Sequence, residues 1–136
     1  MLKGRLAVVT GGTRGIGRAI VEGLLAQGAD VIGTGRSAAG EVPKGARYEA
    51  ADCESAEAVE AFAGILKQIK PDILINNAGI NKNQPFTEID PALFVRIQQV
   101  NVVAPRRFSQ AVLPGMRARK WGRIVSVSSI FGKISK

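Results

Sequence analysis

A glycine-rich segment at residues 10–17, Thr-Gly-Gly-Thr-Arg-Gly-Ile-Gly, contains residue types that could bind a phosphate. It follows a short apolar run and precedes a stretch with helical periodicity. Glycines in such a position let backbone N–H groups approach a pyrophosphate at a helix amino terminus. A tight turn without a ligand has a similar composition. A P-loop is excluded, because Gly17 is followed by Arg18-Ala19 where Lys and then Ser or Thr are required.

The elements that must position this turn are short apolar runs separated by helical stretches. Five runs predict strands, at residues 6–10, 30–34, 47–50, 72–75 and 123–127. Between them, Ser55 is the predicted N-cap of the second helix. Asp90, followed by Pro91, is the predicted start of a third helix that reaches about Met116.

The alternation of strands and helices predicts an α/β fold. We expect a doubly wound, Rossmann-like and mostly parallel sheet with strand order 3-2-1-4-5, right-handed crossovers and helices on both faces. Residues 79–89 are polar and irregular. They predict a loop at the carboxyl end of the fourth strand, where open α/β sheets bind ligands.

Four motifs, in order along the chain, together resemble the short-chain dehydrogenase/reductase family. They are Thr10-Gly11-x3-Gly15-x-Gly17, Asn76-Asn77-Ala78-Gly79, Asn101, and Ser128-Ser129. The resemblance extends from Leu6 to about Gly132 and is strongest to 3-oxoacyl-[acyl-carrier-protein] reductases. It implies an oxidoreductase that transfers a hydride between NADP(H) and a small carbonyl or alcohol substrate.

The resemblance also implies which residues hold the cofactor. The turn that contacts the adenosine ribose and the pyrophosphate comprises Gly11, Thr13, Arg14, Gly15, Ile16 and Gly17. Asp52 with Cys53 corresponds to the family's acidic contact to the adenine ring, although an aspartate in a surface loop is an alternative reading. Asn77, Ala78 and Gly79 would lie under the adenine ribose, whereas a structural role is predicted for Asn76.

The end of the second predicted strand favours NADP over NAD. An NAD site normally has Asp or Glu there, which binds the ribose hydroxyls and repels a 2′-phosphate. Arg36 follows this strand instead, and the nearby acid, Asp30, lies at the strand's start. Arg36 and Arg14 would bring two guanidinium groups to the 2′-phosphate. Solvent-exposed arginines without a ligand are the alternative.

Only part of a catalytic site is implied by the resemblance. Ser129 corresponds to the serine that orients the reacting carbonyl, with Ser128 and Ser126 as neighbouring candidates. Asn101 corresponds to the helix asparagine whose backbone carbonyl holds a water of the proton relay. Because Pro105 has no N–H, the Asn101 carbonyl should lack its usual helical partner. A kinked structural helix is the alternative reading of this pair.

The family's proton-donating Tyr and the Lys four residues after it have no counterpart here. That Tyr follows the Ser by about a dozen residues in the family, whereas this sequence ends at Lys136. Tyr48, the sole tyrosine, falls in the third strand and is followed four residues later by Asp52. We therefore expect residues 1–136 to be a single dinucleotide-binding domain, truncated before the Tyr-x-x-x-Lys segment and inactive alone.

Composition limits the remaining possibilities. Hydrophobic residues make up 46% of the chain and charged residues 22%, as in globular proteins. The formal charge of +8 favours an anionic ligand. One cysteine and no histidine exclude an intrachain disulfide and predict no metal site. The sequence has no long apolar stretch, so we expect a cytoplasmic location and no membrane partner.

Two other readings concern partners. Basic residues flank Trp121 within residues 117–123, where the ring could stack on a base. Cations at a helix carboxyl terminus are a simpler explanation, and we predict no nucleic-acid partner. A non-catalytic binding or oligomerisation fragment is the second alternative. Apolar residues on several sides of the third helix agree with the homo-oligomer that the resemblance implies: Leu93, Val95, Val100, Val102, Val103 and Phe108.

Overall fold

A computed structural model describes residues 1–129 and shows one five-stranded sheet. All four pairs of neighbouring strands are parallel, and the order is β3-β2-β1-β4-β5, which confirms the predicted topology. Several strand ends differ from the predicted ones by one residue. The strands are β1 (Leu6–Val9), β2 (Asp30–Gly35), β3 (Arg47–Ala50), β4 (Ile73–Asn76) and β5 (Arg123–Ser126).

Four α-helices connect these strands within the described residues: α1 (Gly15–Ala26), α2 (Ala56–Ile69), α3 (Pro91–Gln98) and α4 (Ala104–Ala118). The predicted N-caps are confirmed. The Ser55 hydroxyl accepts the Ala58 N–H at 3.1 Å, and the Asp90 carboxylate accepts the Ala92 N–H at 3.0 Å. Each cap satisfies a backbone donor that the first helical turn leaves unpaired.

The single long helix predicted from Asp90 to about Met116 is wrong in one respect. A π-helical turn, Gln99–Val103, separates α3 from α4, and the Ala104 N–H donates to the Gln99 carbonyl five residues earlier. Pro105 has no N–H to continue the α-helical pattern at this point, and a wide turn is a common way to accommodate such an interruption. The helical segment also continues past Met116 to Ala118.

The two faces of the sheet are covered by different helices. Val8 and Leu74 point toward α2 and α4, where Phe62 and Phe108 pack edge to face with ring centroids 5.2 Å apart. Alternate strand residues point to the other face, because successive side chains of a strand do so, and there they pack against Val21 of α1. Burial on both faces explains the lack of polar alternation in the central strands.

The amino-terminal ends of the strands are held together by Asp72. Its Oδ2 accepts the Leu6 N–H at 3.0 Å, and its Oδ1 accepts from Arg5 Nη1 at 3.3 Å. Arg119 Nε lies 3.5 Å from the same Oδ1 atom, and Arg119 Nη2 donates to the Pro71 carbonyl at 3.0 Å. The carboxylate therefore joins β1 and α4 to the segment that enters β4.

The fifth strand is the least covered part of the sheet. All of its residues are exposed, including the apolar side chains of Ile124 and Val125. Among the described residues, no helix is both long and apolar enough to cross a lipid bilayer.

Candidate cofactor-binding site

A cavity of about 780 Å³ lies at the carboxyl ends of the strands. Its volume falls within the range of small-molecule and cofactor sites. Its position matches the crevice in which open parallel sheets bind ligands. The residues that line it are Gly11, Thr13, Arg14, Gly15, Thr34, Gly35, Arg36, Ser37, Ala51, Asp52, Cys53, Glu54, Asn77, Ala78, Gly79, Ile80 and Val100.

Thr10 joins the glycine-rich turn to the segment after β4. Its buried hydroxyl accepts the N–H groups of Asn77 and Ala78, both at 3.0 Å. The Asn77 side-chain amide donates in return to the carbonyls of Thr10 at 3.1 Å and Gly11 at 3.3 Å. Two of the four motifs that carry the family resemblance therefore form one hydrogen-bonded unit. The role of Thr10 in this unit was not predicted, because its hydrogen-bond partners lie 67 and 68 residues away along the chain.

Two glycines give the turn its shape for different reasons. A Cβ at Gly17 would collide with the Gly11 carbonyl oxygen and the Asn77 amide, so the helix start packs directly on the turn. Gly15 has φ of +54°, and a Cβ there would point into open space beside the cavity. That open space next to backbone N–H groups at the start of α1 fits a pyrophosphate.

Arg36 lies on the cavity wall between two carboxylates. Its Nε is 3.8 Å from Asp52 Oδ1, and its Nη2 is 3.5 Å from Glu54 Oε2. Glu54 also lies 3.4 Å from Arg96 Nη2 on α3. Arg14, the residue before α1, lines the cavity as well. The sequence prediction included both cavity arginines but missed Glu54 and Arg96, because the Glu54–Arg96 contact spans 42 residues.

Tyr48 shapes the loop that follows Arg36. Its hydroxyl donates to the Ser37 carbonyl. A Cβ at Gly40 would collide with the Tyr48 ring, so the loop packs closely against the aromatic side chain. From the sequence, Tyr48 was considered only as a possible proton donor, and no structural role was predicted for it. The structure shows that it supports the wall of the cavity at Ser37.

Asp52 and Cys53 line the cavity beside Arg36. Asp52 Oδ1 accepts the Glu54 N–H at 3.0 Å, which leaves the carboxylate on the cavity lining. Burial, and secondarily the Asp52 charge, raises the pKa of the Cys53 thiol to about 11. The thiol is therefore neutral near pH 7 and is a weak nucleophile despite its place in the cavity.

Asn101 acts through its side chain on the loop after β4. Its Oδ1 accepts the Ile80 N–H at 2.9 Å, and its Nδ2 donates to the Ile80 carbonyl at 2.8 Å. The predicted role of Asn101 concerned its backbone carbonyl instead. The reciprocal pair positions the cavity-lining Ile80, a contact that sequence spacing did not indicate.

Four predicted site residues do not line the cavity. Gly17 is buried behind the glycine-rich turn, and Ile16 is exposed at the start of α1. Asn101 borders the cavity through Ile80 and Gly79. Ser129 is an exposed residue three positions after the end of β5. The structure thus gathers ten of the twelve predicted cofactor residues in the cavity lining, while the two predicted catalytic residues do not line it.

A basic surface lies near the opposite end of the sheet. Arg5 Cζ lies 3.7 Å from the centroid of the Trp121 ring, and Arg123 Cζ lies 5.0 Å from it. Arg5 covers one face of the Trp121 ring, so a base could stack on that face only after displacing the guanidinium group. In residues 1–129, no cluster of three or more His, Cys, Asp or Glu side chains is arranged to hold a metal ion.

Comparison with known proteins gives a consistent result. The family model described as short chain dehydrogenase matches residues 5–136. The 3-oxoacyl-[acyl-carrier-protein] reductase FabG of Vibrio cholerae is 37% identical over 145 residues, covering 96% of this chain and 57% of the relative. The chain therefore spans little more than half the length of that relative.

Solved structures agree with the observed fold. A chain described as a short chain dehydrogenase/reductase family protein superposes with a TM-score of 0.91 at 35% identity, covering 99% of this chain and 59% of that one. A metagenomic short-chain oxidoreductase in complex with NADP has a TM-score of 0.86 at 36% identity, covering 99% and 66%. The sequence match and the shared fold together show that this chain belongs to the short-chain dehydrogenase/reductase family.

Proposed function

We propose that this chain binds NADP(H) as the cofactor-holding part of an oxidoreductase acting on a small carbonyl or alcohol substrate. The observation that carries the proposal is the presence of Arg14 and Arg36 on the cavity wall. Arg14 directly precedes α1, and Arg36 directly follows β2, which has no acidic residue at its end. A guanidinium group favours a phosphate, whereas an acid there would repel it. The NADP complex of the metagenomic relative supports the same assignment.

Each wall of the cavity has a part in this proposal. The backbone from Gly11 to Gly15 would hold the pyrophosphate, and Asp52 would accept a hydrogen bond from the adenine ring. Asn77, Ala78 and Gly79 would support the adenine ribose. The nicotinamide, when bound, supplies or accepts the hydride. The protein's own contribution is to bind and orient that group and to keep the reacting substrate beside it.

The test is the affinity of the chain for NADP⁺ and NAD⁺, measured by isothermal titration calorimetry. NADP⁺ should bind more tightly, and Arg36→Asp should reduce the affinity ratio by at least about tenfold, because a charge-assisted hydrogen bond contributes about 1.5 to 3 kcal/mol. Arg106→Asp makes the same charge change on an exposed part of α4 and serves as the control. An affinity ratio that Arg36→Asp leaves unchanged would refute the assignment.

Turnover is expected to be absent from the 136-residue chain. Ser129 would orient the substrate carbonyl, and Asn101 would hold the relay water. Tyr48, the sole tyrosine, lies on β3 at the opposite sheet edge from β5, which precedes Ser129. Tyr48 is therefore not placed to donate a proton beside Ser129, and the loss of general acid catalysis lowers a reaction rate about 10² to 10⁴-fold. NADPH oxidation with a generic ketone should therefore stay at background while NADPH binding is retained; turnover well above background would contradict this.

A homo-oligomer is part of the same proposal. Of the apolar residues predicted on the long helix, Val100 and Phe108 are core residues, whereas Val95, Val102 and Val103 are exposed. An exposed apolar group of this kind favours association. Light scattering over a concentration series should show association that Val102→Asp weakens, and a strictly monomeric chain would overturn this part. A cytoplasmic location and the absence of a nucleic-acid or membrane partner remain predictions.

A further inference from the structure

The carboxylate of Glu54 bridges two arginines, only one of which faces the cavity. We propose that Glu54 weakens recognition of the 2′-phosphate by competing for Arg36, and that Arg96 limits this competition by drawing the carboxylate toward α3. This inference rests on the proposed function, because it concerns how strongly the same site prefers NADP to NAD. It makes Glu54 and Arg96 specificity-determining residues.

The geometry at Arg36 shows why a carboxylate and a phosphate would compete. The Nε and Nη2 atoms, which form one edge of the guanidinium fork, face Asp52 and Glu54. This type of edge binds a phosphate or carboxylate through two parallel hydrogen bonds. The separations of 3.8 and 3.5 Å exceed normal hydrogen-bond lengths, so the acids attract the group without fully engaging its donors.

Exposure identifies Glu54 as the more effective competitor. The Glu54 side chain is 19% exposed, against 35% for Asp52 and 66% for Arg36. A less exposed charge is screened less by water and salt. A 2′-phosphate bound at Arg36 would therefore have the Glu54 charge close to it, and that charge opposes binding. Removing the Glu54 charge should strengthen phosphate recognition.

Arg96 acts on the other oxygen of the same carboxylate. Its Nη2 lies 3.4 Å from Oε1, while Oε2 faces Arg36. Arg96 belongs to α3 and is not among the residues that line the cavity. Without Arg96, the full charge of Glu54 would act on Arg36. A residue outside the cavity would in this way change the preference between two cofactors.

The experiment measures NADP⁺ and NAD⁺ affinities of the chain by titration calorimetry for Glu54→Gln, Arg96→Gln and the double variant. NAD⁺ lacks the 2′-phosphate and is the internal reference. Glu54→Gln should raise the NADP⁺/NAD⁺ affinity ratio about two- to fivefold, the range of an exposed ion pair. Arg96→Gln should lower it by a similar factor, but should change it little in the Glu54→Gln background.

Two controls separate this effect from a general structural one. Glu57→Gln removes the same charge from the first turn of α2, where Glu57 is exposed and outside the cavity lining; it should leave the ratio unchanged. The effects of Glu54→Gln and Arg96→Gln should also fade near 1 M salt, where the Debye length falls to about 3 Å.

The possible failures can be told apart. If wild-type chain prefers NADP⁺ but Glu54→Gln leaves the ratio unchanged or lowers it, the inference is wrong and the proposed function stands. Equal changes in NADP⁺ and NAD⁺ affinity would likewise show a structural role only. If the wild-type chain shows no preference for NADP⁺, the proposed function fails and the inference fails with it.

Discussion

The two ends of the sheet both hold arginines against carboxylates, but they do so differently. At the amino-terminal end, the Asp72 side chain is 13% exposed and both of its oxygens accept hydrogen bonds from the protein. At the carboxyl end, Arg36 is largely exposed and is separated from its two acids by more than a hydrogen-bond length.

The difference shows that residue type alone does not distinguish a structural ion pair from one at a candidate ligand site. The Asp72 carboxylate has its oxygens satisfied and connects secondary-structure elements, so its removal should affect folding. Arg36 has donors available and faces a cavity, so its replacement should affect binding more than folding. Burial and hydrogen-bond geometry, rather than the presence of an Arg–carboxylate pair, distinguish the two ends.

The largest effect is expected from adding a single carbon at the carboxyl end. Gly17→Ala places a Cβ against the Gly11 carbonyl and the Asn77 amide, so backbone must move. Overpacking of this kind costs about 3 kcal/mol, and the moved turn should also lose nucleotide binding. Thermal or urea unfolding, with parallel NADP⁺ titration, measures both changes.

Gly23→Ala on the same helix is the matched control, since a Cβ there meets open space. It should stabilise α1 by about 0.5 to 1 kcal/mol and leave binding intact. Equal behaviour of the two variants would show that the turn does not depend on close packing at Gly17.

A smaller effect, confined to stability, is expected at the amino-terminal end. Both carboxylate oxygens of Asp72 accept hydrogen bonds. Asp72→Asn replaces one of them by an NH2 group, which cannot accept a hydrogen bond. Losing a hydrogen bond to a charged group costs about 2 kcal/mol. The variant should unfold at lower urea concentration while its NADP⁺ affinity stays unchanged.

Asp52→Asn tests the other end with the same substitution. Because its ion pair with Arg36 is long and exposed, the stability should change by about 0.5 kcal/mol or less. A loss of stability as large as that of Asp72→Asn would remove the contrast between the two ends.

The smallest expected effect on stability concerns Cys53, a buried residue at the carboxyl end of the sheet. Its raised pKa of about 11, against an ordinary value of 9.0, means that the folded chain holds the proton more tightly than the unfolded chain. Any stability that depends on this shift is fully present below about pH 9 and is lost as the pH rises through about 11.

Labelling with iodoacetamide measures the same property. Cys53 is the sole cysteine, so the labelling rate reports one site. At pH 8 the folded chain should react about 100-fold more slowly than the urea-unfolded chain, since the thiolate fraction falls tenfold with each unit of pKa. Similar rates in both states would show that the thiol is accessible and not desolvated.

The sequence by itself predicted the fold and, through the family resemblance, most of the candidate cofactor cavity. Buried strands without polar alternation, the N-caps Ser55 and Asp90, and the glycines of residues 10–17 are local features, and each acts through residues close to it in the chain. The strand order then followed from alternation and the handedness of crossovers. The cavity lining includes ten of the residues for which the family resemblance and the end of the second strand predicted cofactor binding: Gly11, Thr13, Arg14, Gly15, Arg36, Asp52, Cys53, Asn77, Ala78 and Gly79.

Tertiary structure alone decided how the cavity residues are held. Tyr48 on β3 contacts Ser37, which follows the neighbouring strand β2. The Asn101 side chain pairs with Ile80, and Arg96 contacts Glu54 from a separate helix. Side-chain contacts of this kind depend on the distance and angle between elements that are far apart in sequence. Neither composition nor periodicity encodes that geometry, because both describe only neighbours along the chain.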